Sequence, residues 1–210
     1  DGWQPLAKMS TARGVCGLAA VGGKIYAIGG WSMGSALESV EAYDPQLGAW
    51  ALVASIREKR SDHATVVIDG KIYAMGGMGN AEVSFDTVEV YDPQANNWQW
   101  VASMPQGLHA HAAAAMGGKI YVTGGFAQGG SVSSAYVYDP QADAWTQLAS
   151  MSATRYNHAS AAVGGKLYVF GGSGEGGRLS TAEVYDPTSD SWAHVSNLPS
   201  ARYDMVAVAL

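Results

Sequence analysis

Five tryptophans divide the chain into near-equal lengths: Trp3, Trp50, Trp98, Trp145 and Trp192 lie 47, 48, 47 and 47 residues apart. Three further landmarks keep those intervals. They are Gly29-Gly30, Gly76-Gly77, Gly124-Gly125 and Gly171-Gly172; Tyr26, Tyr73, Tyr121 and Tyr168; and the tripeptides starting at Tyr43, Tyr91, Tyr138 and Tyr185, each Tyr-Asp-Pro. Four landmarks on one period mean that one supersecondary unit is repeated, and that each copy has to bury its apolar faces against the next.

Each copy reads as four short strands, a to d. An apolar run such as HASAAVG is strand a. A two-residue turn follows (Gly22-Gly23, Asp69-Gly70, Gly117-Gly118 or Gly164-Gly165), then strand b, as in KIYAIGG. Asp-Gly and Gly-Gly between apolar runs specify a hairpin, because both central residues can take positive φ. Strand c is SVEAYDP, TVEVYDP, SAYVYDP or TAEVYDP, and strand d carries the tryptophan, as in WTQLASM. A four-stranded sheet that is apolar on both faces is unstable alone, and radial stacking of such sheets gives an all-β propeller. The Trp and Tyr rings then fill the spaces between blades with their polar tips satisfied, and the paired glycines permit positive φ or close backbone approach.

The pattern W-x2-[LV]-x2-[MIL]-x3-R, G-K-[IL]-Y-x2-G-G, [VA]-E-x-Y-D-P and W resembles the kelch repeat, closest to that of the BTB-kelch adaptor proteins, over essentially the whole chain. The resemblance implies a kelch β-propeller. It leaves function open, because kelch propellers include ubiquitin-ligase adaptors, actin-binding proteins, sugar-handling enzymes and a copper oxidase.

A single domain over 1–210 is expected, with four complete four-stranded blades at about 13–56, 60–104, 108–151 and 155–198. Residues 3–9 read as a lone strand d and 202–210 as a lone strand a. These two cannot pair with each other without b and c between them, so the ring is expected to be incomplete or completed by an oligomer. The formal net charge of −6 and the absence of a Lys/Arg run argue against nucleic acid or an anionic membrane as partner. No run approaches the roughly 18 apolar residues of a membrane span. The lone cysteine, Cys16, and the lack of a signal-peptide pattern point to a soluble, cytoplasmic protein.

Strand direction puts the d-to-a and b-to-c loops on one face. Four of the six arginines, Arg13, Arg60, Arg155 and Arg202, occupy one d-to-a position, with Leu108 breaking the series in the third blade. A ring of guanidinium forks could capture carboxylates, and the adaptor resemblance implies that arginines at this position help hold acidic peptides. Alternatively each Arg caps loop carbonyls of its own or the neighbouring blade. Asp62 and Asp204 lie two residues after their arginines and could neutralise them. Trp31, Met33, Phe126, Gln128 and Arg178 sit in or beside the b-to-c loops, and Tyr156 and Tyr203 follow ring arginines. Exposed aromatics near arginines are frequent interface anchors.

His63, His111 and His158 fall three residues after the arginine slot, with Cys16 and Met205 there in the outer copies. Three imidazoles on neighbouring inner strands could meet at a metal. They also match a packing residue that hydrogen-bonds between blades, as the kelch resemblance implies. Glu41, Glu89 and Glu183 repeat in strand c, which marks them as architecture, and Tyr136 replaces the fourth. His109 and His194 stand outside the pattern. No nucleophile elbow or phosphate loop occurs.

These features predict a non-catalytic protein- or peptide-binding module with no cofactor. It would use the loop face, with Arg13, Arg60, Arg155, Arg202, Tyr156, Tyr203, Trp31, Phe126 and Arg178 as contacts. A sugar-handling or oxidase-like enzyme with a histidine-lined channel, and a structural repeat that self-assembles through open edges, are the alternatives.

Overall fold

The computed structural model describes residues 2, 4–81 and 83–208. Four antiparallel four-stranded sheets carry the chain in sequence order. Strands a to d run Gly17–Val21, Lys24–Ile28, Val40–Asp44 and Ala49–Val53 in the first blade, and Ala64–Ile68, Lys71–Met75, Val88–Asp92 and Asn97–Val101 in the second. The third has Ala112–Met116, Lys119–Thr123, Ala135–Asp139 and Ala144–Leu148, and the fourth Ala159–Val163, Lys166–Phe170, Ala182–Asp186 and Ser191–Val195. Strand a of each blade packs on strand a of the next, from the first blade to the fourth. The sheets form an open propeller rather than a closed ring.

Trp3 lies outside the described residues, as do positions 209 and 210 of the final segment. Residues 4–9 and 202–208 form no strand ladder, since neither has a strand b or c beside it. Both segments are nevertheless held in blade-like positions. Trp50 Nε1 donates to Ala7 O at 2.9 Å, and Gly172 N donates to Arg202 O at 2.9 Å.

The core lies between blades. Tyr26, Ile28 and Val40 of the first blade meet Ile72, Ala74, Tyr91 and Trp98 of the second. Tyr73, Met75 and Val88 meet Ile120, Val122, Tyr136 and Tyr138 of the third. At the outer rim each tryptophan clips its blade to the preceding one: Trp98, Trp145 and Trp192 donate to the carbonyls of Ala54, Ala102 and Ala149 at 2.8–2.9 Å. The same three alanines donate their N–H to Asn96, Asp143 and Asp190, which also accept from Tyr91, Tyr138 and Tyr185. At the inner rim the second glycine of each pair donates across the seam, Gly30 N to Arg60 O and Gly125 N to Arg155 O, both at 2.8 Å.

Among the described residues no complete blade covers the end faces. Ile25 is 39% exposed where the aligned Ile72 is 0%, and Val163 is 54% exposed where Ile68 is 6%. No helix of the described residues is long and apolar enough to cross a membrane.

Candidate functional site

Three of the four arginines are turned inward, which corrects the expectation of a guanidinium ring at the mouth and matches the alternative that each caps loop carbonyls of its own blade. The Arg13, Arg60 and Arg155 side chains are 0% exposed and pair with Glu41, Glu89 and Glu183 of strand c at 2.8, 3.1 and 2.7 Å. Each Nη1 donates to two loop carbonyls: Gly29 and Ser39, Gly76 and Thr87, Gly171 and Thr181. A planar fork of donors meets a carboxylate and two carbonyls of its own blade, so none of these three offers a free fork to a ligand. Arg202 alone is exposed, with Nη2 donating to Ser200 Oγ at 2.7 Å. The glutamates also accept from the backbone N–H of Ser10, Arg57 and Ser152.

The third blade replaces this assembly as a unit. Leu108 and Tyr136 fill the Arg and Glu positions, both buried. Pro105 stands where Ser10, Arg57 and Ser152 stand in the others, so the N–H that would need the missing carboxylate is absent too. Gln106 accepts from the Tyr136 hydroxyl and the Ser134 hydroxyl instead.

The histidines pack between blades. His63, His111 and His158 are buried, and His158 Nε2 bonds Thr123 Oγ1 of the preceding blade at 2.9 Å. Burial, then the charges of Arg60 and His111 on His63, of His109 and Arg60 on His111, and of Arg155 and His111 on His158, lowers each to about 3. Among the described residues no group of three or more His, Cys, Asp or Glu could hold a metal ion. An unfolded histidine takes a proton below its ordinary 6.5, whereas these natives resist until about 3. Their share of stability is therefore present above pH 6.5 and lost as pH falls from 6.5 toward 3. The three imidazole C2 proton shifts should stay flat from about pH 8 to 5 while the melting temperature falls; titration near the ordinary value would contradict this packing.

The loop face is formed as strand direction requires. Two-stranded hairpins of the b-to-c loops (Trp31–Ser32 with Ser35–Ala36, Phe126–Ala127 with Gly130–Ser131, Ser173–Gly174 with Gly177–Arg178) bridge to the d-to-a junctions through Gly14–Trp31, His109–Phe126 and Tyr156–Ser173. At the centre a chain of backbone hydrogen bonds passes from blade to blade: Asp62 N to Val15 O, Ala110 N to Asp62 O, Asn157 N to Ala110 O and Asp204 N to Asn157 O, at 2.8–3.1 Å. These five residues share positive φ of 44–53°. They rim a cavity of about 280 Å³ whose floor includes His63, His111 and His158.

A second cavity of about 280 Å³, sharing Asp62, Ala110 and Asn157 with the first, adds Met78, His109, Phe126 and Tyr156. His109 and Phe126 also line a third, of about 520 Å³, with Ser84, Gln106 and Gln128. Here Ser84 Oγ bonds His109 Nδ1 at 2.9 Å, and Phe126 lies 5.4 Å from His109 and 5.5 Å, edge-on, from Tyr156. Phe126 and Tyr156 are thus brought together, both half-buried. Trp31 and Tyr203 are exposed at 36% and 39%, Met33 is fully exposed, and Arg178 lies 4.7 Å over the Tyr203 ring. The sequence pointed to Asp62 and Asp204 only as partners for the arginines and to His109 only as outside the pattern, and it did not mark Val15, Ala110, Asn157, Ser84 or Gln106 as cavity residues. The available signal was variation at otherwise periodic positions: Val, Asp, Ala, Asn and Asp follow in turn at the rim.

The model of the family described as Attractin/LZTR1 beta-propeller matches residues 7–210. Kelch-like protein 33 of Homo sapiens is 37% identical over 79 residues, 38% of this chain and 15% of that protein. The influenza virus NS1A-binding protein homolog of Mus musculus is 35% identical over 74 residues, 35% of this chain and 12% of that protein. These alignments span less than a quarter of the relatives' own length. The solved "Structure of YjhT" superposes with a TM-score of 0.88 at 17% identity, covering 99% of this chain and 77% of that one, a likeness of fold.

Proposed function

Because the chain belongs to the Attractin/LZTR1 β-propeller family, we propose that it acts as a non-catalytic module binding a protein segment on its loop face. The observation that carries this reading is a row of three adjoining cavities that share lining residues, from the central mouth past Phe126 and Tyr156 to Gln106 and Gln128. Half-buried aromatic rings set on short hairpins make contact area at low entropic cost, and the glutamines supply hydrogen bonds to an extended backbone. The regular Arg and Glu residues are occupied with each other and with loop backbone inside their blades, which supports binding rather than chemistry. The mouse relative named as an influenza virus NS1A-binding protein homolog is in keeping with a protein-binding role for this kind of repeat.

A random peptide library selected on this protein should yield binders whose affinity falls at least about tenfold, or 1.4 kcal/mol, in Phe126→Ala/Gln128→Ala. The melting temperature should hold within a few degrees. Binders indifferent to these substitutions, or none at all, would defeat the reading.

A further inference from the structure

Charge in the loop-face cavities is opposite to what an arginine ring would supply. Among the described residues the three adjoining cavities are lined by two carboxylates, Asp62 and Asp204, and by no lysine or arginine. Arg13, Arg60 and Arg155 are occupied by their glutamates, Arg178 lies over Tyr203, and Arg202 lines none of the three. Among the described residues Asp62 and Asp204 enter no ion pair.

Asp62 belongs both to the mouth and to the pocket that holds Phe126, Tyr156, His109, Met78 and Asn157. The floor of the mouth includes His63 and His111, 8% and 7% exposed, whose ring nitrogens have no protein partner. Burial raises the Asp62 pKa; His109 and a hydrogen bond with Ser61 oppose that and Asp204 adds to it, and the balance stays upward. A cavity lined by a carboxylate and two aromatic rings attracts an organic cation through charge and through the ring quadrupole.

Resting on the binding reading above, we propose that the partner segment inserts a basic side chain, arginine or lysine, into the Asp62–Phe126–Tyr156 pocket. Its charge is answered by Asp62, its apolar stem lies along Met78 and the rings, and Asp204 draws a second basic residue to the mouth.

The test uses blocked Gly-Arg-Gly, Gly-Lys-Gly and Gly-Glu-Gly tripeptides titrated into the isotopically labelled protein. The expected result is saturable amide shifts at Asp62, Ala110, Phe126 and Tyr156 with the Arg or Lys peptide. Asp62→Asn should weaken that binding at least tenfold. Asp69→Asn, which removes one charge from the a-to-b turn on the opposite face, should leave it unchanged. Stronger shifts with the Glu peptide, no shifts with any, or equal effects of the two substitutions would overturn the proposal. Acidic or uncharged library binders that still depend on Phe126 and Gln128 would sink the basic side chain alone and leave the binding face standing.

Discussion

Glu183→Ala should cost about 3–5 kcal/mol of folding stability, the cost of leaving a buried guanidinium without its counter-ion. Arg155 is 0% exposed, and Glu183 supplies both its ion-pair oxygen at 2.7 Å and an acceptor for the Ser152 N–H at 2.8 Å. Deleting the carboxylate strands all of these at once. The third blade contains the apolar alternative, with Pro105, Leu108 and Tyr136 at the positions of Ser152, Arg155 and Glu183. The triple variant Ser152→Pro/Arg155→Leu/Glu183→Tyr should therefore recover most of the loss, because exchanging a buried ion pair for packed residues of similar volume is near neutral. Denaturant melts of the two variants decide the matter. A triple variant as weak as Glu183→Ala would show that the third blade depends on neighbours beyond these three residues.

Gly30→Ala should be nearly as costly, about 3 kcal/mol or more, through two independent mechanisms. Gly30 has φ of +99°, and an added Cβ would lie 2.6 Å from Gly14 O and 2.8 Å from the Cys16 Cβ. Gly14 cannot give way easily, since it exchanges paired backbone hydrogen bonds with Trp31. Shifting Gly30 instead stretches its bond to Arg60 O and opens the seam between the first two blades. Gly22→Ala in the a-to-b turn is the matched comparison: φ is +58° and nothing lies within 4 Å of the new methyl. Only the left-handed backbone is penalised there, at roughly 1–2 kcal/mol. Equal melting midpoints for the two variants would refute the seam's role.

The architecture was legible because repetition exposes it. Trp98 and Tyr91 recur with their copies at one period, and the structure places both rings between blades with their polar atoms bonded. The strand c glutamates were readable as architecture for the same reason. The role of Arg155 was not, because a guanidinium on a loop looks alike whether it faces solvent or folds inward. The deciding partner, Glu183, is 28 residues away. Blade three contained the clue: Leu108 and Tyr136 depart from the pattern together, as members of a contacting pair would.

By itself the sequence determined the blade, the strand order and the face on which loops gather, since these follow from local turn chemistry and a period. Tertiary structure alone decided the sign and shape of that face. Carboxylates and arginines distant in sequence cancel inside the blades, and the charge left at the mouth belongs to Asp62 and Asp204, two of the five rim residues that share positive φ.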